Sequence, residues 1–307
     1  MFVPFISRRD TRSSGRFDKR KGGGGGGRGK SSSGKKSSSG KKSGGTKSPF
    51  TKTSSTNAGG RSRPMSSYGS GGGAPSVIPA GQFFAGRAVG GGSRSQIFGT
   101  RTYGSGYPGI AGRGVAGRGF PFFFWPVIWG GAVGSAIGGT HSYLYTDEYG
   151  SPSNTSRPGG ALYTTSFQST SSTQTVLRIV ADNTTIIDLV TDINRNCSTF
   201  ITPPNSNAAP FNTSAPAPKP EQVIQYYRSS SVALTLDGYN NTAAFAAEGT
   251  RDVDLPSTVD SGMINCVNQT IGVSVPLIDG SVGRFGAIPS FQVFGIVSLV
   301  WLLAGMF

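Results

Sequence analysis

Histidine, cysteine and acid are all scarce in this chain of 307 residues. One histidine, His141, and two cysteines, Cys197 and Cys266, exclude a zinc site built from several His and Cys ligands. Asp and Glu number 14 against 29 Lys and Arg, and the shortage is uneven. Residues 1–119 hold 2 acids, 22 basic residues and 31 of the 48 glycines, a net charge of +20; the remainder carries −5. A charge split of this size excludes one compact enzyme filling the whole length. The basic isoelectric point belongs to an N-terminal tract rather than to a uniformly basic globule.

Residues 7–119 lack the aliphatic side chains that a core needs. Runs of Gly, Ser, Lys and Arg cannot bury enough apolar surface to offset about 1–2 kcal/mol of backbone entropy per residue, so the expectation is a long disordered arm over 1–119. Gly22–Gly27 is an unbroken glycine run, and Ser-Ser-Ser-Gly-Lys-Lys occurs at 31–36 and again at 37–42, which reads as a flexible charged linker. Gly29, Gly34 and Lys35 mimic the spacing of a phosphate loop, but Lys36 stands where Ser or Thr is needed and no apolar strand precedes it. Beyond residue 81 the arm gains Arg-Gly pairs (Arg113-Gly114, Arg118-Gly119) and aromatics (Phe83, Phe84, Phe98, Tyr103, Tyr107). Its charge suits anionic polysaccharide or lipid headgroups. Single-stranded nucleic acid is a less favoured partner, and a tether with no dedicated partner is the plainest reading.

Two segments are free of charge. Residues 120–140 combine Phe, Trp and Pro with a Gly/Ala stretch; they read as a weak membrane-spanning segment, an interfacial aromatic segment or a strip packed on a folded domain. Residues 285–307 are apolar to the last position. With small residues at Gly280, Ser281 and Gly283 and a spacer before the tail, they match a glycolipid (GPI) attachment signal, the alternative being a C-terminal transmembrane helix. Met1–Ser7 reads as the rear of a signal peptide. If it is not one, 120–140 becomes an internal signal anchor that leaves the basic flank cytoplasmic. Both routes place residues 143–283 on the outer side of the membrane.

That stretch carries all six Asn-x-Ser/Thr sequons, at Asn154, Asn183, Asn196, Asn212, Asn240 and Asn268, and both cysteines. A glycosylated, outward-facing domain with a Cys197–Cys266 disulfide follows. Its pattern predicts α+β. Thr175–Ala181 is a strand, and a helix capped by Asn183 runs to about Asn196. Glu221–Arg228 is a short helix begun by Pro220, Ser231–Asp237 a strand, Asn240–Glu248 a short helix and Met263–Gln269 a helix.

Catalytic chemistry is thinly represented. His141 abuts the apolar segment, and no cofactor is called for. Asp188 and Asp192 share a helix face at i, i+4 and are the best carboxylate pair for a cation or a sugar, although acids so placed usually form a solvated face.

The stretches Tyr143–Gly150, Glu221–Asn240 and Cys266–Gly272 resemble uncharacterised surface proteins of mushroom-forming fungi over roughly 140–283. The resemblance implies a secreted or membrane-anchored location and transfers no functional residue. The expectation is a non-enzymatic, glycosylated cell-surface protein tethered by its C-terminus, with a basic arm touching wall polysaccharide. Its rival is an integral membrane protein with a cytoplasmic arm that binds anionic lipid or RNA.

Overall fold

A computed structural model describes residues 53–130, 142–202 and 208–280. In chain order the elements are β1 (Thr53–Ala58), β2 (Arg61–Ser66), β3 (Ser76–Val77), β4 (Ala88–Val89), β5 (Leu162–Gln168), β6 (Val176–Asp182), α1 (Asn183–Asn196), β7 (Ala209–Pro210), β8 (Val223–Tyr227), β9 (Val232–Leu236), α2 (Ser261–Ser274) and β10 (Leu277–Ile278). Five antiparallel strands form the main sheet in the order β7-β5-β6-β9-β8, and β1-β2-β10 form a smaller one. This is a small α+β fold held by one disulfide.

The β6–α1 unit follows from its sequence. β-Branched residues favour the strand, and Ile186, Leu189 and Ile193 fall on one helix face and are completely buried. The cap is Asp182 rather than Asn183: its carboxylate accepts from the Thr185 backbone N–H at 3.0 Å, and Asn183 is the first helical residue. Met263, Val267 and Ile271 form the buried stripe of α2, which Asp260 caps. Cys197 at the end of α1 is bonded to Cys266 of α2, with Cα atoms 5.8 Å apart, so the bond fastens the two helices together.

The stretch 221–228 departs from expectation. Only Pro220–Gln222 turn helically, and the chain then enters strand β8. Successive tyrosines point to opposite faces of that strand. Tyr226 accepts from Trp129 Nε1 at 3.0 Å and packs on Tyr103, while Tyr227 donates to Asn268 Oδ1 of α2 at 2.5 Å. The sheet is therefore covered by helix on one side and by an aromatic segment on the other. β9 is buried at every position, as a central strand between two layers should be. The predicted helix at Asn240–Glu248 is a single 3-10 turn, Thr242–Phe245.

The largest correction concerns the arm. Residues 53–119 do not trail outside the domain: β2 pairs with both β1 and the C-terminal β10 (Ser66 with Leu277, Met65 with Ile278), and Ile97, Tyr103 and Val115 lie in the same core as the helices. Residues 120–130 are a packing strip, neither spanning nor interfacial, with Phe120 through Phe124 and Val127 through Trp129 almost fully buried apart from Pro121. Residues 1–52, 131–141 (with His141) and 281–307 lie outside the described residues, and so do the C-terminal apolar tail, Ser281 and Gly283. Among the described residues no helix is long and apolar enough to cross a membrane.

At the centre is a buried ion pair. Arg228, completely inaccessible, donates to Asp182 Oδ2 at 2.6 Å, Thr185 Oγ1 at 3.1 Å, the Pro276 carbonyl at 2.9 Å and Ser231 Oγ at 2.7 Å. Its guanidinium lies 3.5 Å from the Phe124 ring centroid. To deliver it there, the β8–β9 turn holds Arg228, Ser229 and Ser230 at positive φ (51°, 50° and 62°), a strain of about 1–3 kcal/mol each. Hydrogen bonds from the 97–127 segment compensate: Gly104 N donates to Ser230 Oγ at 3.0 Å, Val127 N to the Ser230 carbonyl at 2.8 Å, and Ser229 Oγ donates to the Gly106 carbonyl at 2.9 Å. Glycine is required at 159 (φ 84°), because a Cβ there would overlap the Asp182 carboxylate.

Two stability experiments follow. Asp182→Ala strands Arg228 as an uncompensated buried charge and is expected to cost about 3–5 kcal/mol in urea unfolding; a loss below about 1 kcal/mol would show that the pair does not hold the junction. Replacing both Cys197 and Cys266 by Ser frees a loop with a sequence separation of 69 and is expected to cost about 4 kcal/mol. Unchanged midpoints in the double variant would contradict this.

Candidate functional site

The arginines between residues 87 and 118 do not present an open basic face. Arg113 donates to the carbonyls of Ala246 (2.5 Å) and Ala247 (3.1 Å) and stacks on Tyr143; Arg118 donates to Gly104 (2.8 Å) and Gly112 (2.9 Å) and stacks on Tyr107. Arg101 reaches the Val253 carbonyl at 2.7 Å, and Arg94 spans the Gly69 and Gly272 carbonyls. Arg87 pairs with Glu148 and stacks on Phe84. Planar guanidiniums suit this work because they saturate loop carbonyls while lying on rings. The Arg/Gly/aromatic pattern is thus an internal clamp, with Gly104 at φ 93° where a Cβ would meet the backbone of Gly114.

Arg157 is the extreme case. It is 3% exposed, donates to the carbonyls of Trp125 (3.0 Å) and Pro126 (2.5 Å), and has no partner for Nε and Nη1 among the described residues. Burial pulls its pKa down to about 10, against the upward pull of Asp182.

The main concavity, about 430 Å³, opens between the β1–β2 hairpin tip, the 78–86 turn and the 120–125 strip. Its floor is Phe120, Phe123 and Trp125, and its polar lining includes Asn57, Arg61, Ser62 and Gln82. Among the described residues no carboxylate lines it. Phe83 stands at its edge, 63% exposed, its ring 5.9 Å from that of Trp125 and inclined at 72°. Phe84 turns inward instead, edge-on to Trp125 at 4.7 Å. That arrangement requires Phe84 at φ 62°, and Phe123 in the floor sits at φ 72°; bulky residues adopt this region at a cost of about 1–3 kcal/mol each. A second cleft, about 420 Å³, is lined by Thr102, Ser105, Arg113, Glu248 and Asp252 among others.

The predicted positions fall as follows. Cys197 and Cys266 are joined. Asn196, Asn212 and Asn240 are exposed; Asn154, Asn183 and Asn268 are partly covered, the last held by Tyr227. Gly280 is the last described residue, its N–H bonded to the Gly71 carbonyl. Asp188 and Asp192 are not a solvated face: they are 8% and 4% exposed, Asp192 pairs with Arg195, and neither lines the two clefts above. Of the residues lining the main cleft, the sequence singled out Phe83 as an aromatic in a glycine-rich background and Phe120, Phe123 and Trp125 as part of an apolar segment, but none as a site. A hairpin signal did exist in Gly59-Gly60 between Thr53–Ala58 and Arg61–Ser66.

Burial raises the phenol pKa of Tyr103, Tyr226 and Tyr227 well above the ordinary 10.0. The unfolded chain ionises these groups near 10.0 and the folded chain does not, so their contribution is whole below that pH and is lost as pH rises beyond it. Phenolate absorbance is expected to emerge together with loss of circular dichroism in an alkaline titration; a smooth titration centred near the ordinary value with structure intact would contradict the burial. No protein-family model, curated protein or solved structure matches the chain.

Proposed function

We propose that the chain is a non-enzymatic cell-surface protein whose disulfide-locked α+β domain faces away from the cytosol and contacts anionic polysaccharide. The observation that carries this reading is the Cys197–Cys266 bond between α1 and α2, since such bonds persist in oxidising compartments. Exposure of Asn196, Asn212 and Asn240 is what N-linked glycans would require. The apolar stretch 285–307 supplies the tether, through lipid attachment near Gly280, Ser281 or Gly283 or as a retained helix. The resemblance to surface proteins of mushroom-forming fungi points the same way.

The rival arrangement, with residues 1–119 cytoplasmic and the rest outside, would put a bilayer between β2 and β10, which are hydrogen-bonded neighbours. Burial of Phe120–Trp129 in the core likewise leaves that strip unavailable to lipid. The shared core therefore favours placing residues 53–280 on one side.

Native material is expected to migrate faster after glycosidase treatment, to leave the membrane with a glycolipid-specific phospholipase and to lack reactive thiols. A band that neither shifts nor is released, with alkylatable cysteines at 197 and 266, would sink the proposal.

A further inference from the structure

We propose that the cleft between the β1–β2 hairpin tip, the 78–86 turn and the 120–125 strip binds a short uronate-containing saccharide. This names the site of the polysaccharide contact and rests on that part of the proposed function. It is tested on purified protein, so its failure would leave the location of the domain untouched.

Four observations converge. The cleft, about 430 Å³, falls within the roughly 300–1,000 Å³ range of small-ligand sites. The exposed Phe83 ring, braced edge-on by Trp125, offers an apolar face to the C–H side of a pyranose. The amides of Asn57 and Gln82 and the hydroxyl of Ser62 supply donors and acceptors for sugar hydroxyls. Arg61 is exposed at the rim, with no carboxylate among the described lining residues to neutralise it, and its planar fork matches a uronate carboxylate.

The backbone adds an independent indication. Phe84 and Phe123 both hold left-handed conformations, and the first keeps Phe83 outside while Phe84 turns partly into the core. Strain retained at a concave surface points to function rather than to folding. Single-stranded nucleic acid fits less well. Such sites track successive phosphates with a basic groove, whereas Arg61 is the one basic residue lining this cleft and Arg94, Arg101, Arg113 and Arg118 are spent on backbone carbonyls.

The test is calorimetric titration of the full-length, disulfide-bonded protein with three probes: a galacturonate trisaccharide, the matching neutral trisaccharide and a single-stranded RNA hexamer. Saturable binding of the uronate is expected, weakened about tenfold by Phe83→Ala. Arg61→Gln is expected to reduce uronate affinity to that of the neutral sugar. Phe83 is exposed, so Phe83→Ala should melt with the parent protein; Gln82→Ala provides a second cleft variant if it does not. No uronate binding at millimolar concentration, equal binding of the neutral sugar by the parent, or tighter binding of RNA would each overturn the proposal. So would uronate binding that persists unchanged in Phe83→Ala, Gln82→Ala and Arg61→Gln, because the ligand would then sit on the other basic residues.

Discussion

The fold turns on the guanidinium of Arg228 beneath the start of α1. One side chain ties together the end of β6 through Asp182, the first turn of α1 through Thr185, the exit from α2 through the Pro276 carbonyl and the aromatic strip through Phe124. The charge of Arg228 is offset by an adjacent counter-charge and by an acceptor for each of its three guanidinium nitrogens. Here the carboxylate that neutralises the guanidinium also caps the helix, so the ion pair and the cap are one structure. The strained β8–β9 turn and the glycine at 159 then become requirements of that placement.

The same chemistry recurs around the rest of the domain. Arginines from the basic tract lie on Tyr107, Tyr143 and Phe84, Arg157 lies on Trp125, and most of them donate to loop carbonyls. A glycine-rich chain has many such carbonyls and few side chains to bury. Guanidiniums stacked on rings meet both needs, contributing hydrogen bonds and packing in place of aliphatic bulk. Among the described residues, arginine charge that looks available for an external polyanion is therefore largely consumed within the molecule, and Arg61, at the rim of the main cleft, stays exposed.

Legibility in the sequence divided along physical lines. The β6–α1 unit, strand β9 and the middle of α2 were readable because their apolar spacing is set by near neighbours. The stretch 221–228 was not: Pro220 and a mixed apolar run suit a helix as well as a strand. The choice fell to Tyr226 and Tyr227, which find Trp129 on one side and Asn268 on the other. Asp188 and Asp192 read as solvated because nothing local indicates what α1 packs against. The main cleft was nearly invisible, since its walls come from 57–62, 78–89, 120–125 and 156–158 and three of those stretches look like linker.

By itself, then, the sequence determined the charge partition, the α+β character, the pairing of the only two cysteines and the periodic elements near them. Tertiary structure decided that residues 53–119 belong to the core, which carboxylates are buried, and where a concave aromatic surface forms. Periodicity is a property of residues a few positions apart, whereas burying a charge depends on a partner such as Asp182 for Arg228, 46 positions away, whose proximity exists only once the chain has closed.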